Sequence, residues 1–95
     1  MDKTTIEKFL KWLSEHFDVE DMNLYELEYG EEWSVDNVIN EYNDCTHKEE
    51  LTHLLRWFLG NYEIEEGKIQ DIDSKTVIEL SIVINDYVYY EKRGK

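Results

Sequence analysis

Residues 46–62, THKEELTHLLRWFLGNY, constrain the fold of this chain more than any other segment. Their apolar side chains recur at the spacing that lines one face of an α-helix: Leu51, Leu54, Leu55, Phe58 and Leu59. Thr46 and Glu49 match a capping box that would begin the helix, and Gly60 with Asn61 predicts its end. Because such a face must be buried, we expect the other elements to pack against this helix.

Two further segments before it have helical periodicity. In the first, Thr4 or Thr5 is placed to cap a helix, and Trp12 lies off its apolar stripe, either covering a flank or exposed. That stripe consists of Ile6, Phe9, Leu10, Leu13 and Phe17. In the second, Ser34 caps a short helix over residues 35–43. Its inward-facing residues are predicted to be Val38, Ile39 and Tyr42.

The segment between these two helices, residues 18–33, allows two interpretations. As a strand, it alternates apolar and acidic residues in the order Tyr25, Glu26, Leu27, Glu28, Tyr29. As a helix capped by Asp18, it places Val19 and Met22 on one side but leaves Leu24 outside that face. Gly30 ends the element in either interpretation, and both remain open from the sequence.

After Tyr62 the period changes from 3.6 to 2, which predicts strands. Glu66-Gly67 is a turn signal, residues 68–73 form a weak strand, and residues 76–84 form a strong strand. A turn at Asn85-Asp86 would pair this strand with residues 87–92. The predicted hairpin pairs are Ile84 with Tyr87, Ile82 with Tyr89, Val83 with Val88, Ser81 with Tyr90, and Glu79 with Lys92.

Together these elements predict a single α+β domain over residues 1–95. Residues 1–62 would be mainly helical, with two or three helices packed on one face of a three-stranded antiparallel β-meander formed by residues 63–95. The chain has one cysteine, Cys45, which fits a reducing cytoplasm. It has neither a signal peptide pattern nor an apolar run near the ~18 residues of a membrane span. We therefore expect a cytoplasmic protein without a membrane partner.

The net charge is −13, from 23 acidic and 10 basic side chains, and it is concentrated in one region. Residues 15–50 hold thirteen acids and a single base, Lys48. Charge of this sign disfavours nucleic acid and anionic membrane as partners and favours a basic protein. A solvated face is the simpler explanation, but unpaired carboxylates repel one another and destabilise the compact state, a cost that a binding role would explain.

The predicted partner-binding residues are the acids of this region and one tryptophan. Trp33 lies at a loop between Glu32 and Ser34 and is the candidate for an exposed aromatic anchor, whereas Tyr25 and Tyr42 are predicted to be core. The predicted set is Asp18, Glu20, Asp21, Glu26, Glu28, Glu31, Glu32, Trp33, Asp36, Glu41 and Asp44.

The patterns typical of metal sites and of catalysis are not present in the sequence. Cys45, His47, His53 and His16 do not have the spacing of zinc ligands. Residues 18–23 and 71–75 depart from the EF-hand loop, and the glycine-rich phosphate loops and nucleophile motifs of enzymes are missing. We expect no metal, no cofactor and no enzymatic activity.

In length, net charge and the absence of Lys and Arg from residue 12 to residue 47, the chain resembles the acidic DNA-mimic proteins of phages and mobile elements. That group includes anti-CRISPR and anti-restriction proteins. The resemblance implies an inhibitor that occupies the basic nucleic-acid-binding surface of a partner, either a nucleic-acid-binding effector or a nuclease, without binding nucleic acid itself.

Two other hypotheses remain. The chain could be an immunity protein or antitoxin that neutralises a basic nuclease toxin, with Trp33 or Tyr29 entering the active site. It could instead be a structural domain that dimerises through the second face of the predicted hairpin. That face consists of Val77, Val83, Val88 and Tyr90. The oligomeric state expected across these hypotheses is a monomer or a weak homodimer.

Overall fold

The computed structural model describes residues 1–93, which form four α-helices and one five-stranded antiparallel sheet. The elements are α1 (Lys3–His16), β1 (Phe17–Glu20), β2 (Asn23–Glu26), β3 (Glu32–Trp33), α2 (Val35–Tyr42), α3 (Lys48–Asn61), β4 (Tyr62–Glu65), β5 (Lys68–Asp71) and α4 (Leu80–Arg93). Across the sheet the strands follow the order β3-β2-β1-β4-β5. The α+β class is confirmed, but the order of helices and strands differs from the prediction.

The strand register gives the sheet one apolar and one polar face. Val19 lies opposite Leu24 on one side and opposite Ile64 on the other, and all three are buried in the core. Because side chains alternate along a strand, the residues between them point to the opposite face. We call that opposite side the outer face, and its residues are Asp18, Glu20, Asn23, Tyr25, Glu32, Glu63, Glu65, Lys68 and Gln70.

The predicted apolar stripes of the first three helices are confirmed as the core with two exceptions: Phe17 is buried from β1 and not from the first helix, and Tyr42 is only half-buried. The buried residues are Ile6, Phe9, Leu10 and Leu13 of α1, Val38 and Ile39 of α2, and Leu51, Leu54, Leu55, Phe58 and Leu59 of α3. They form one cluster with the apolar face of the sheet. Burying each large side chain contributes about 1.5–3 kcal/mol, so this contiguous cluster is the main source of stability.

Helix caps were predicted with mixed success. Ser34 accepts the Asn37 N–H at 3.2 Å and begins α2 as predicted. The first helix begins one or two residues before the predicted threonine caps, because Asp2 accepts the Thr5 N–H at 2.8 Å.

The capping box predicted for α3 does not form. The residue before the helix is His47, which makes no side-chain capping bond. Asp44 Oδ1 instead accepts the N–H groups of Thr46 and His47, at 3.1 and 3.2 Å. At the other end, Gly60 does not stop the helix, which runs through Asn61 directly into β4.

The predicted C-terminal hairpin is wrong. Residues 80–93 form α4, and among the described residues after Asn61 only β4 and β5 belong to the sheet. Leu80, Val83, Ile84, Tyr87 and Val88 have helical spacing, and α4 packs on α1 through this face. The weak strand and the turn at Glu66-Gly67 are confirmed by β4 and β5, but the strong strand is reduced to a single bridge between Gln70 and Val77.

The other strands come from residues 17–33, the segment that the sequence left open. The helical interpretation is wrong and the strand interpretation is correct in part, because the strand predicted from Tyr25 to Tyr29 ends at Glu26 and residues 27–29 form a turn. The strand begins earlier than predicted, at Asn23, and pairs with β1 in a hairpin around Asp21 and Met22, whose φ angles of 51° and 68° fit a two-residue turn with both central residues left-handed. Residues 1–62, predicted to be mainly helical, therefore contribute three of the five strands as well as three helices.

The surface required by the dimerisation hypothesis does not form. Val83 is buried in the core and Val88 is half-buried on α4, while Val77 and Tyr90 are exposed on different elements. These residues do not share a sheet face.

Within residues 1–93, none of the helices combines the length and the apolar character that crossing a membrane requires.

Candidate functional site

Most of the predicted partner-binding residues lie on one of two separate surfaces, and three lie on neither. Asp18, Glu20 and Glu32 lie on the outer face, with Asp21 at the adjoining β1–β2 turn. A groove on another side of the domain is lined by Glu26, Glu28, Trp33 and Glu41. Glu31 and Asp36 are exposed and lie outside both surfaces. Asp44 lies just before α3, where it accepts hydrogen bonds from the side chain and the backbone N–H of His47, and these bonds lower the pKa of its carboxyl.

On the outer face, the acidic side chains stand on β1, β3 and β4, and β2, which lies between β1 and β3, carries Asn23 and Tyr25 instead. Asp18 lies opposite Tyr25, and Tyr25 lies opposite Glu32 on the next strand. Neighbouring strands are about 4.8 Å apart, and alternate residues along a strand are about 6.7 Å apart. Glu20 and Glu32 are exposed, and neither forms an ion pair with another of the described residues. Tyr25, predicted to be core, is half-buried on this face.

Asp18 has an unusual position on this face. Its Oδ1 atom is buried and has no hydrogen-bond partner within residues 1–93. The residue borders a concavity of about 420 Å³ whose lining includes Glu20, Glu63, Glu65 and Lys75. A buried carboxylate oxygen without a donor costs about 1–3 kcal/mol, and a donor from a binding partner would recover part of that cost.

Glu63 is a second unusual carboxylate, because it is only 3% exposed although it belongs to the outer face. It accepts hydrogen bonds from Lys75 Nζ at 2.5 Å, the Asp21 N–H at 2.9 Å and Gln70 Nε2 at 3.3 Å. These bonds, that from Lys75 foremost, lower the pKa of the Glu63 carboxyl. Glu63 thereby fixes the β1–β2 turn and the loop that carries Lys75, so its role is to hold the outer face in shape.

Replacing Glu63 with glutamine is expected to lower stability in a pH-dependent way. A carboxyl whose folded pKa is depressed stabilises the fold above its unfolded pKa, about 4.3, and this contribution is lost as pH falls through the folded value. Thermal unfolding followed by circular dichroism should show Glu63→Gln melting below the wild type at pH 7, with the gap closing below about pH 4.

Glu20→Gln, on the same face but exposed and unpaired, is the matched control and should track the wild type much more closely. An unchanged gap from pH 7 to pH 3 would contradict the assigned role of Glu63.

The second surface, which we call the groove, is a concavity of about 490 Å³ between α1, β1, the β2–β3 loop and α2. Its lining residues are Trp12, Glu15, His16, Phe17, Glu26, Leu27, Glu28, Trp33 and Glu41. Aromatic packing fixes the floor: the Phe17 ring centroid is 5.3 Å from that of Trp33 and 5.7 Å from that of Trp12. Trp12 thus covers a flank of α1, one of its two predicted positions.

Backbone hydrogen bonds hold the β2–β3 side of the groove. The Glu26 N–H donates to the Glu31 carbonyl at 2.8 Å, and the Gly30 N–H donates to the Glu26 carbonyl at 2.8 Å. The Leu27 N–H donates to the His16 carbonyl at 3.1 Å, which ties the loop to the end of α1. Gly30 has a φ of +70°, which favours glycine at this position.

Glu26 occupies a position where a sheet normally carries an apolar residue. It pairs with Phe17 on the core-facing side of β1 and β2, at the end where the sheet opens into the groove. It is half-buried and forms no ion pair with any described residue. Glu15, Glu28 and Glu41 surround the same concavity and are likewise unpaired within residues 1–93.

The aromatic predictions for this region need correction. Trp33 is not an exposed anchor, because it is half-buried against Phe17. Tyr42, predicted to be core, is half-buried and packs against the core, with its ring centroid 5.0 Å from that of Phe9. The most exposed aromatic side chain of the region is Tyr29, at 73%, in the β2–β3 loop.

In the part of the chain that the structure describes, no three His, Cys, Asp or Glu residues are grouped so that they could hold a metal ion. The groove offers a different chemistry, in which aromatic faces and carboxylates converge on one concavity. This combination suits an organic cation.

No family model, curated protein or solved structure is significantly similar to this chain.

Proposed function

We propose that this protein is a small acidic inhibitor that binds a basic protein and occupies its nucleic-acid-binding surface. The observation that carries the proposal is a set of outer-face carboxylates on β1 and β3, two strands of one sheet that lie on either side of β2, and these carboxylates form no ion pair with a described residue. Glu20 and Glu32 are its exposed members, and Asp18 adds an oxygen that has no hydrogen-bond donor among residues 1–93.

The strand geometry supports mimicry of a nucleic acid backbone. Duplex DNA presents one negative charge per ~1.7 Å of axis. The outer-face carboxylates are about 6.7 Å apart along a strand, as Asp18 and Glu20 are, and about 9.6 Å apart across β2, as Asp18 and Glu32 are, at sites that the backbone hydrogen bonds hold in place. Because the backbone that carries these carboxylates is already fixed, binding of the partner's Lys and Arg side chains would lose less conformational entropy.

The net charge of −13 supports the proposal in a second way. A field of one sign over the surface accelerates the approach of an oppositely charged protein, with a strong dependence on ionic strength. The same field destabilises the isolated domain through self-repulsion, and association with a basic partner relieves that repulsion.

A salt-graded competition assay tests the proposal. Proteins captured by the immobilised chain at 50 mM NaCl would be identified, purified and titrated with the chain in the presence of labelled duplex DNA. We expect the chain to displace the DNA, and its affinity to fall at least tenfold between 50 and 200 mM NaCl, since each charge contact adds to the salt dependence. Affinity that does not respond to salt, or a partner that binds DNA and the chain simultaneously, would contradict the proposal.

The exposed side chain of Tyr29 favours the immunity protein as a second candidate function. Its position in the β2–β3 loop, near Glu28 and Glu31 in the sequence, would let an aromatic ring enter the active site of a basic nuclease. A DNA hydrolysis assay with the same partner distinguishes the two functions. For an immunity protein of this kind, Tyr29→Ala would relieve the block of hydrolysis, whereas for an inhibitor that acts through the outer face, Tyr29→Ala would leave both the block and the DNA displacement intact.

A further inference from the structure

We infer that the groove is a receptor for an arginine side chain of the partner protein. The inference rests on the proposed function, in that the partner is basic, and it names the residue that the groove would take. The observation behind it is that, among residues 1–93, the lining of one concavity includes four carboxylates and two indole rings and neither a Lys nor an Arg.

The aromatic lining accounts for the preference for a planar cation. Trp12 and Trp33 are half-buried, and both border the groove, where Phe17 packs between them. A guanidinium group stacks on aromatic faces through cation–π attraction, and indole is the strongest side-chain partner for it.

The carboxylates account for the charge and the geometry of recognition. Glu26 is half-buried beside the aromatic floor, and Glu15, Glu28 and Glu41 lie around the rim. Arginine presents its donors in a fixed fork that matches a carboxylate with two parallel hydrogen bonds. A lysine ammonium is a strongly hydrated point charge and makes poorer use of both the carboxylate fork and the ring face.

The size and rigidity of the groove fit such an occupant. A volume of about 490 Å³ has room for one long side chain and part of the backbone that carries it. The methylene stem of arginine can pack along the exposed side chain of Leu27. The hydrogen bonds of Glu26 and Leu27 hold the loop in place, so the wall that carries these two residues is formed before binding.

Titration with small peptides followed by NMR tests the inference on the intact chain. The probes are the blocked tripeptides Gly-Arg-Gly and Gly-Lys-Gly, and the signals are the indole N–H cross-peaks, assigned by Trp→Phe variants. We expect saturable shifts for Trp12 and Trp33 with the arginine peptide, about tenfold weaker binding of the lysine peptide, and little change at Trp57, which lies outside the groove.

Glu26→Gln should weaken binding of the arginine peptide about tenfold, because it removes the charged member of a bidentate hydrogen bond while keeping the shape of the side chain. Glu7→Gln removes the same charge from an exposed position of α1 outside both surfaces and is the matched control, with an expected change below twofold. A well-dispersed amide spectrum verifies that each variant is folded.

Equal shifts at all three indoles, equal affinity for the two peptides, tighter binding of a trimethyl-lysine tripeptide, or similar effects of Glu26→Gln and Glu7→Gln would overturn the inference. These outcomes are separable from failure of the proposed function. A chain that displaces DNA from its partner but fails the peptide titration retains the function without the arginine receptor. A chain that binds the arginine peptide selectively but captures no DNA-binding protein has the receptor without the function.

Discussion

Replacing Val83 with aspartate is expected to unfold the protein, whereas the same replacement at Ile82 is expected to leave it folded. Val83 has an exposure of 0% in α4, and Ile82 next to it is 53% exposed. An unpaired carboxylate at a fully buried site costs more than about 4 kcal/mol, a large part of the stability of a small domain. At Ile82 the change should stay within about 0.5 kcal/mol, because the site is solvated and lies in the first turn, where the helix dipole favours an acid.

Circular dichroism of the two variants measures this contrast. Val83→Asp should lose the cooperative thermal transition, and Ile82→Asp should melt within a few degrees of the wild type. The two substitutions change charge and side-chain size almost identically, so each is the control for the other. In the predicted hairpin Ile82 would lie on the apolar face with Ile78, Leu80 and Ile84, so the opposite result would restore the hairpin and reject α4.

The contrast also explains why this part of the fold was mispredicted. Residues 78–82 alternate apolar and polar side chains as a strand does, while Leu80, Val83, Ile84, Tyr87 and Val88 have helical spacing. Both periods are present in the same residues, and local sequence does not decide between them. The helix is favoured because its apolar face packs on α1 and in the core, and the local sequence contains no information about that tertiary contact.

The first three helices could be predicted because each has a single period. Their apolar stripes have no competing alternation, and Ser34 marks the start of α2 with a local signal. The β1–β2 hairpin was harder, because its turn residues Asp21 and Met22 adopt positive φ angles without the glycine that usually marks such turns. The bond from the Asp21 N–H to Glu63 helps to hold this turn, and it joins residues 42 positions apart.

The candidate site was predictable in its charge and not in its arrangement. The excess of acids over residues 15–50 is visible in the sequence, but its division between the outer face and the groove depends on strand register. Trp12 and Glu15 were missed because both lie on α1 outside its apolar stripe, and nothing in the local sequence shows that this side of the helix borders a groove. Glu63 was missed because its donor Lys75 is twelve residues away, a separation with no periodic signature.

Reversing the charge of Glu20 and Glu32 together is expected to reduce partner affinity by about two orders of magnitude. Both side chains are exposed on the outer face, on the strands on either side of β2, and neither supports the fold through an ion pair with a described residue. Loss of a close charge contact in a protein interface costs at least about 1.5 kcal/mol, and two such losses correspond to a factor of about 100. Asp21 is left unchanged, because its positive φ and its bond to Glu63 make it part of the turn.

The matched control is the double variant Glu7→Lys and Glu91→Lys, which changes the net charge equally on helices α1 and α4, away from the outer face, with the second lysine in the last turn of α4, where the helix dipole favours a cation. If only the overall field steers binding, the two double variants should lose affinity equally, and mainly through slower association. If the outer face makes the contacts, Glu20→Lys with Glu32→Lys should also raise the dissociation rate, and the control should not. Surface plasmon resonance against the purified partner separates the two rates. Melting temperatures equal to or above the wild type in both variants, as expected when self-repulsion is relieved, would exclude unfolding as the cause.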